Sequence, residues 1–136
     1  MEKEKVITKT IDKNADAVWA VVKKPSHLAL HGDVKTTVIS DLEWVEHTSP
    51  EVDNRCTAAV DETSRTVTVK SVNSKYSSES DEISISVAAD GEGCKVTVDF
   101  TMHTGAVANI LVMKFAGDKI VESSVDKMIK HIEQHC

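Results

Sequence analysis

Apolar and polar residues alternate strictly in three stretches of this chain: Val67-Thr68-Val69, Ile83-Ser84-Ile85-Ser86-Val87 and Val96-Thr97-Val98-Asp99-Phe100-Thr101-Met102. A period of two puts every second side chain on one face, so these stretches predict antiparallel strands with one face covered. They extend to strand-like runs over Thr66–Asn73, Glu82–Ala88 and Lys95–His103, and four more runs precede them: Lys5–Ile11, Val34–Ser40, Leu42–His47 and Asn54–Val60. Asp90-Gly91-Glu92-Gly93 is a tight hairpin signal between the last two strands. Thr48–Asp53, with Pro50, and Ser74–Asp81 read as longer loops.

Elsewhere the period is helical. After the first strand Asn14 is a good N-cap, and Asp16 puts negative charge into the first turn, where the helix dipole favours it. Ala15, Val18 and Val22 share a stripe with Trp19 beside it, and Lys23-Lys24-Pro25 ends the segment with cations and a breaker. Ser26–His31 reads as a second short helix closed by Gly32. From about Gly105, Ile110, Met113, Gly117, Val121, Val125, Met128 and Ile132 recur every three or four residues, which is one continuous helical stripe. Thirty residues of helix span about 45 Å, enough to cross a small sheet. The order is one strand, two short helices, six antiparallel strands and a long helix, in a single α+β domain over residues 1–136.

Composition supports much strand: Val, Ile and Thr supply 40 of the 136 residues. The net charge of −6 argues against nucleic acid, whose phosphates call for clustered Lys and Arg. The start, Met1-Glu2-Lys3-Glu4-Lys5, has no apolar signal region, and the most apolar stretch, Gly105–Met113, is too short to span a bilayer. Cys56, Cys94 and Cys136 are odd in number and far apart, which suits a reducing compartment and predicts a cytoplasmic protein without membrane insertion.

The element order, together with Asn14-Ala15-Asp16-Ala17-Val18-Trp19 after the first strand and Pro25-Ser26-His27-Leu28 in the second short helix, resembles the SRPBCC (START-like, helix-grip) superfamily. Asp33-Val34 matches the approach to its second strand. The resemblance implies a curved seven-stranded antiparallel sheet gripping the C-terminal helix, with a cavity between them. Members bind lipids, polyketides or other apolar ligands there, a few catalyse cyclisation or dehydration, and some act only through partners.

Inward strand residues such as Val69, Val98 and Phe100, facing Ile110 and Met113 on the helix, either line such a cavity or fill a solid core. Few large aromatics are available to fill the space, which favours the cavity. Lys114 falls within about 40° of Ile110 on the helical wheel, so it either holds an anionic head group or snorkels to water. Trp44 either contacts a ligand or packs, and Tyr76 either closes over the cavity mouth or anchors its loop. The ligand-binding candidates are therefore Trp44, Val69, Tyr76, Val98, Phe100, Ile110, Met113 and Lys114.

His27 with His31, and His131 with His135, stand at the i, i+4 spacing of metal-chelating pairs. A zinc site needs further ligands, and no paired Cys-x-x-Cys or His-Glu-x-x-His pattern supplies them, so these are expected to be solvated end residues and no metal or cofactor is expected. Acid–base candidates are Glu46, His47, Tyr76, Asp99 and His103. Nucleophile elbows and phosphate loops are missing, so no catalytic residue is assigned. Val112 and Phe115 fall on the outer face of the long helix, where a homodimer contact is expected. The expected function is binding of a small hydrophobic ligand, with a polyketide cyclase or dehydratase and a partner-binding module as the alternatives.

Overall fold

The computed structural model describes residues 1–32, 34–76, 79–105 and 107–136. Asp33, read as the approach to the second strand, lies outside the described residues, as do Ser77 and Ser78 of the Ser74–Asp81 loop and Ala106 near the start of the long helix. One antiparallel sheet contains β1 (Glu2–Ile11), β2 (Lys35–Ser40), β3 (Glu43–Ser49), β4 (Val52–Asp61), β5 (Thr66–Asn73), β6 (Ser80–Asp90) and β7 (Gly93–His103). Its spatial order is β1-β7-β6-β5-β4-β3-β2, a meander whose first strand closes against its last. The helices are α1 (Ala15–Val22) and α2 (Val107–His135). At 29 residues, α2 is about 44 Å long. This is the helix-grip architecture expected from the sequence.

Local chemistry explains the short elements. The Asn14 side chain accepts a hydrogen bond from the Asp16 N–H at 2.8 Å, capping α1, whose Ala15, Val18, Trp19 and Val22 are buried. Trp19 Nε1 donates to Glu62 Oε2 at 2.8 Å. The second short helix, read over Ser26–His31, is present as a 3-10 helix at Pro25–His27. Ala29 at φ 52° and Gly32 at φ 84° leave the right-handed helical region, so no regular helix can continue. This break lets Leu28 and Leu30 both be buried and turns His31 inward.

The inward face of the sheet is built in rows across the strands. Val69, Ile83 and Phe100 form one row, and Val67, Ile85 and Val98 the next. Against them α2 lays Met113, Gly117, Val121, Val125, Met128 and Ile132, all buried, so the predicted stripe faces the sheet. Along one side of α2, Asp118, Glu122 and Asp126 pair with Lys3, Lys5 and Lys9 of β1 at 3.1, 3.8 and 3.3 Å. Lys3 to Lys5 advances about 6.6 Å against about 6 Å for Asp118 to Glu122, whereas Lys5 to Lys9 advances about 13 Å, a mismatch that the long lysine side chains span. At Gly117 a Cβ would lie 3.3 Å from Lys3 Cδ, so a small residue lets α2 settle against β1. Cys56, Cys94 and Cys136 are unpaired, the first two buried. Among the described residues no helix is long and apolar enough to cross a membrane.

Candidate functional site

Towards one end of the sheet the inward rows change character. Beyond Val69 on β5 the same face carries Ser71, and beyond Ile83 on β6 it carries Asp81; the register joins Trp44, Cys56, Ser71, Asp81 and Met102 in one row. The next row brings Glu46 beside Asn54 and Asn73. Hydrocarbon thus gives way to polar groups inside the grip of the fold, where burial demands that each polar group find a partner.

His31 supplies the central partner. Its Nδ1 lies 2.9 Å from Glu46 Oε2 and 2.6 Å from Oε1, and its Nε2 lies 2.8 Å from Asp81 Oδ2. The side chains are only 16% exposed for His31, 4% for Glu46 and 18% for Asp81. Burial disfavours a charged imidazole, but hydrogen bonds and charge from Asp81 and Glu46 outweigh it and push the His31 pKa up to about 10. At neutral pH His31 is therefore an imidazolium donating through both nitrogens. Burial likewise opposes ionisation of Glu46, but His31 and the Trp44 indole, which donates to Oε2 at 3.2 Å, hold its carboxyl below the usual range. The Phe100 ring meets His31 edge to face at 6.0 Å. With one cation between two anions, the cluster carries a net charge of about −1.

Beside this cluster is a cavity of about 420 Å³ between the polar end of the sheet and the first half of α2. Its apolar wall is Val52, Met102, Val112, Met113 and Ile120, and its polar wall includes Asn54, Asn73 and Asp81. Tyr76, 54% exposed, is on the lining, and His103 joins it at the end of β7. A second hollow of about 140 Å³, lined by Ser26, Trp44 and Glu46 among others, lies on the Glu46 side.

Of the eight residues proposed from the sequence, Tyr76 and Met113 line the larger cavity. Trp44 is buried and lines the smaller hollow. Val69, Val98 and Phe100 are packed in the core; Leu30 and Met128 fill the space in front of Val98 and Phe100, leaving only a gap too small for water. The open space is therefore displaced from the apolar rows to the polar ones. Ile110 is half-buried off the cavity wall, and Lys114 is exposed to solvent, as a snorkelling side chain is.

The histidine pairs also sort differently from the expectation. His27 is exposed, 3.6 Å from Asp41, whereas His31 is not a solvated end residue but the buried hub of the cluster. His131 and His135 stack on each other at 4.0 Å. His31, Glu46 and Cys56 bring a nitrogen, an oxygen and a sulfur within 4.8 Å of one another, a set that can hold a metal ion. A metal there competes with protons: burial pushes the Cys56 thiol up to about 12, and both His31 nitrogens already donate.

Residues 5–133 match the family model described as polyketide cyclase/dehydrase and lipid transport. The chain belongs to that family. Among solved structures, the chain resembles norcoclaurine synthase from Thalictrum flavum at a TM-score of 0.70, with 16% identity over 99% of this chain and 96% of that one. TTHA0849 from Thermus thermophilus gives a TM-score of 0.72 with 17% identity, covering 98% and 96%. Major latex-like protein 151 from Panax ginseng gives 0.68 with 16% identity, covering 100% and 99%. At such identities the likeness is one of fold; the family match over residues 5–133 is what supports the SRPBCC resemblance seen in the sequence. No curated protein matches this family member in sequence.

Proposed function

We propose that residues 1–136 form one domain that binds a small hydrophobic ligand in the cavity between the polar end of the sheet and α2. The cavity itself carries this reading: about 420 Å³, walled by two methionines and three branched apolar side chains, with a few polar groups at one side. Small-molecule sites commonly enclose roughly 300–1,000 Å³ with that composition. Tyr76 and Met113 are proposed ligand contacts, joined by Val52, Met102 and Ile120. Trp44 acts from behind, fixing Glu46 and through it His31.

The cyclase or dehydratase alternative needs a group in the cavity that exchanges protons near neutral pH. His31 is poorly suited, since both its nitrogens are engaged and its pKa lies near 10, and His103, the histidine on the lining, sits exposed at the end of β7, 3.4 Å from Glu2. Binding without chemistry is the better account.

A neutral fluorescent probe such as N-phenyl-naphthylamine tests it. Binding should saturate near one probe per chain, and Val52→Trp should abolish it by filling the cavity while the protein stays folded. No saturable binding, or binding unaffected by Val52→Trp, removes the proposal.

Leu111 and Phe115 are 53% and 79% exposed on α2, and we propose this outer face as a homodimer contact, whereas Val112, expected there with Phe115, lines the cavity instead. Sedimentation should show a concentration-dependent dimer that Phe115→Glu abolishes; a monomer throughout the concentration range rejects it. The unpaired cysteines suit a reducing, cytoplasmic setting. The net charge of −6 argues against a nucleic-acid partner.

A further inference from the structure

Resting on the cavity as the binding site, the charge of its wall selects the class of ligand. Asp81 belongs to the wall and to the buried cluster at once: Oδ2 accepts from His31, and the residue lines the cavity. Oδ1 is buried and has no hydrogen-bond partner among the described residues, and neither has the hydroxyl of Thr104, another lining residue only 4% exposed. Both are polar atoms of lining residues left without a partner, the carboxylate oxygen an acceptor and the hydroxyl a donor as well as an acceptor, an arrangement that folded proteins otherwise avoid.

The charges point the same way. His31 balances only one of Glu46 and Asp81, so the cluster behind the wall is anionic. Glu79, whose Oε1 accepts the Gly105 N–H at 3.1 Å, adds a second carboxylate to the lining. Among the described lining residues there is no Lys or Arg, and His103 lies 3.4 Å from Glu2. The cations against the lining are the Met1 ammonium, donating to the Thr104 carbonyl at 2.7 Å, and Lys75, 5.6 Å from the Tyr76 ring centre, both past the sheet rows that hold Asp81 and Glu46. Lys114, the candidate partner for an anionic head, points to solvent on the outside of α2. In a cleft with low-dielectric walls such an imbalance is focused onto the bound molecule.

We infer that the cavity takes an amphiphilic amine: an apolar body against Val52, Met102, Met113 and Ile120, and a protonated nitrogen donating to Asp81. The same wall disfavours carboxylates of equal size.

The test compares three molecules of one shape, phenylbutylamine, phenylbutanol and phenylbutanoate, as competitors of N-phenyl-naphthylamine near neutral pH and low salt. A charge-assisted hydrogen bond predicts that the amine displaces the probe at about tenfold lower concentration than the alcohol, with the carboxylate weakest. Asp81→Asn should bring the amine down to the alcohol. The wild-type ranking decides the question even if that variant folds poorly. Equal displacement by all three, or tightest binding by the carboxylate, overturns the amine assignment and leaves the apolar cavity standing. Failure of the probe to bind at all overturns the cavity reading, and this inference with it.

Discussion

His31→Ala lowers stability by about 3–5 kcal/mol at neutral pH, the usual cost of removing one member of a buried charged group. The loss goes beyond two hydrogen bonds. Without the imidazolium, Glu46 and Asp81 are left as two carboxylates with little access to water, their side chains 4% and 18% exposed. Urea unfolding measures the change. The same group sets a pH dependence whose sign follows from its proton. The folded protein holds the His31 proton up to about pH 10, whereas an unfolded histidine releases it near 6.5. This stabilisation is therefore complete below pH 6.5 and is lost as pH rises towards 10, by about 1.4 kcal/mol per unit. Glu46, held low, acts oppositely: its share is present above its ordinary value of 4.5 and is lost in acid. Between pH 6.5 and the ordinary thiol value of 9.0 the alkaline slope should vanish in His31→Ala; above it the Cys56 thiol, pushed up to about 12 by burial, adds a loss of the same sign. A cost below about 1 kcal/mol, or a slope in that window that survives the substitution, means His31 is not the charged hub described.

Met128→Ala costs about 2–5 kcal/mol, the range for truncating a large buried side chain. Met128 is 2% exposed and borders the gap left between Leu30, Ile83, Val98 and Phe100, where the inner face of the sheet meets α2. Truncation enlarges a gap now too small for water into an apolar hole, and the rigid sheet beneath it cannot collapse to refill it. The variant should keep its probe binding, since Met128 is not on the lining of the larger cavity. A thermal midpoint shifted by less than a degree would mean that α2 does not dock through this stripe.

Strand alternation, the hairpin glycines, the Asn14 cap and the seven-residue stripe of α2 are all legible in the sequence, because each depends on neighbours a few residues away. Period two and period 3.6 reflect backbone geometry and hold wherever one face is buried. The same alternation, followed two residues further, also reaches the polar end of the sheet: Val69 leads to Ser71 and Ile83 to Asp81 on the same face. Polar residues at an inward position are the available signal of the site, but in one dimension they equally mark the end of a buried face.

The position of the cavity and the charge of its wall were decided only by the tertiary structure. Whether Val98 and Phe100 border space or protein depends on Leu30 and Met128, which arrive from distant parts of the chain. His31 is more extreme. Nothing in Ala29-Leu30-His31-Gly32 marks a buried cation; it becomes one because Ala29 adopts a left-handed turn and because Glu46 and Asp81, 15 and 50 residues further on, converge on its two nitrogens. The protonation state of a group is a property of the charges around it, and those are assembled by strand register and helix docking rather than by sequence proximity.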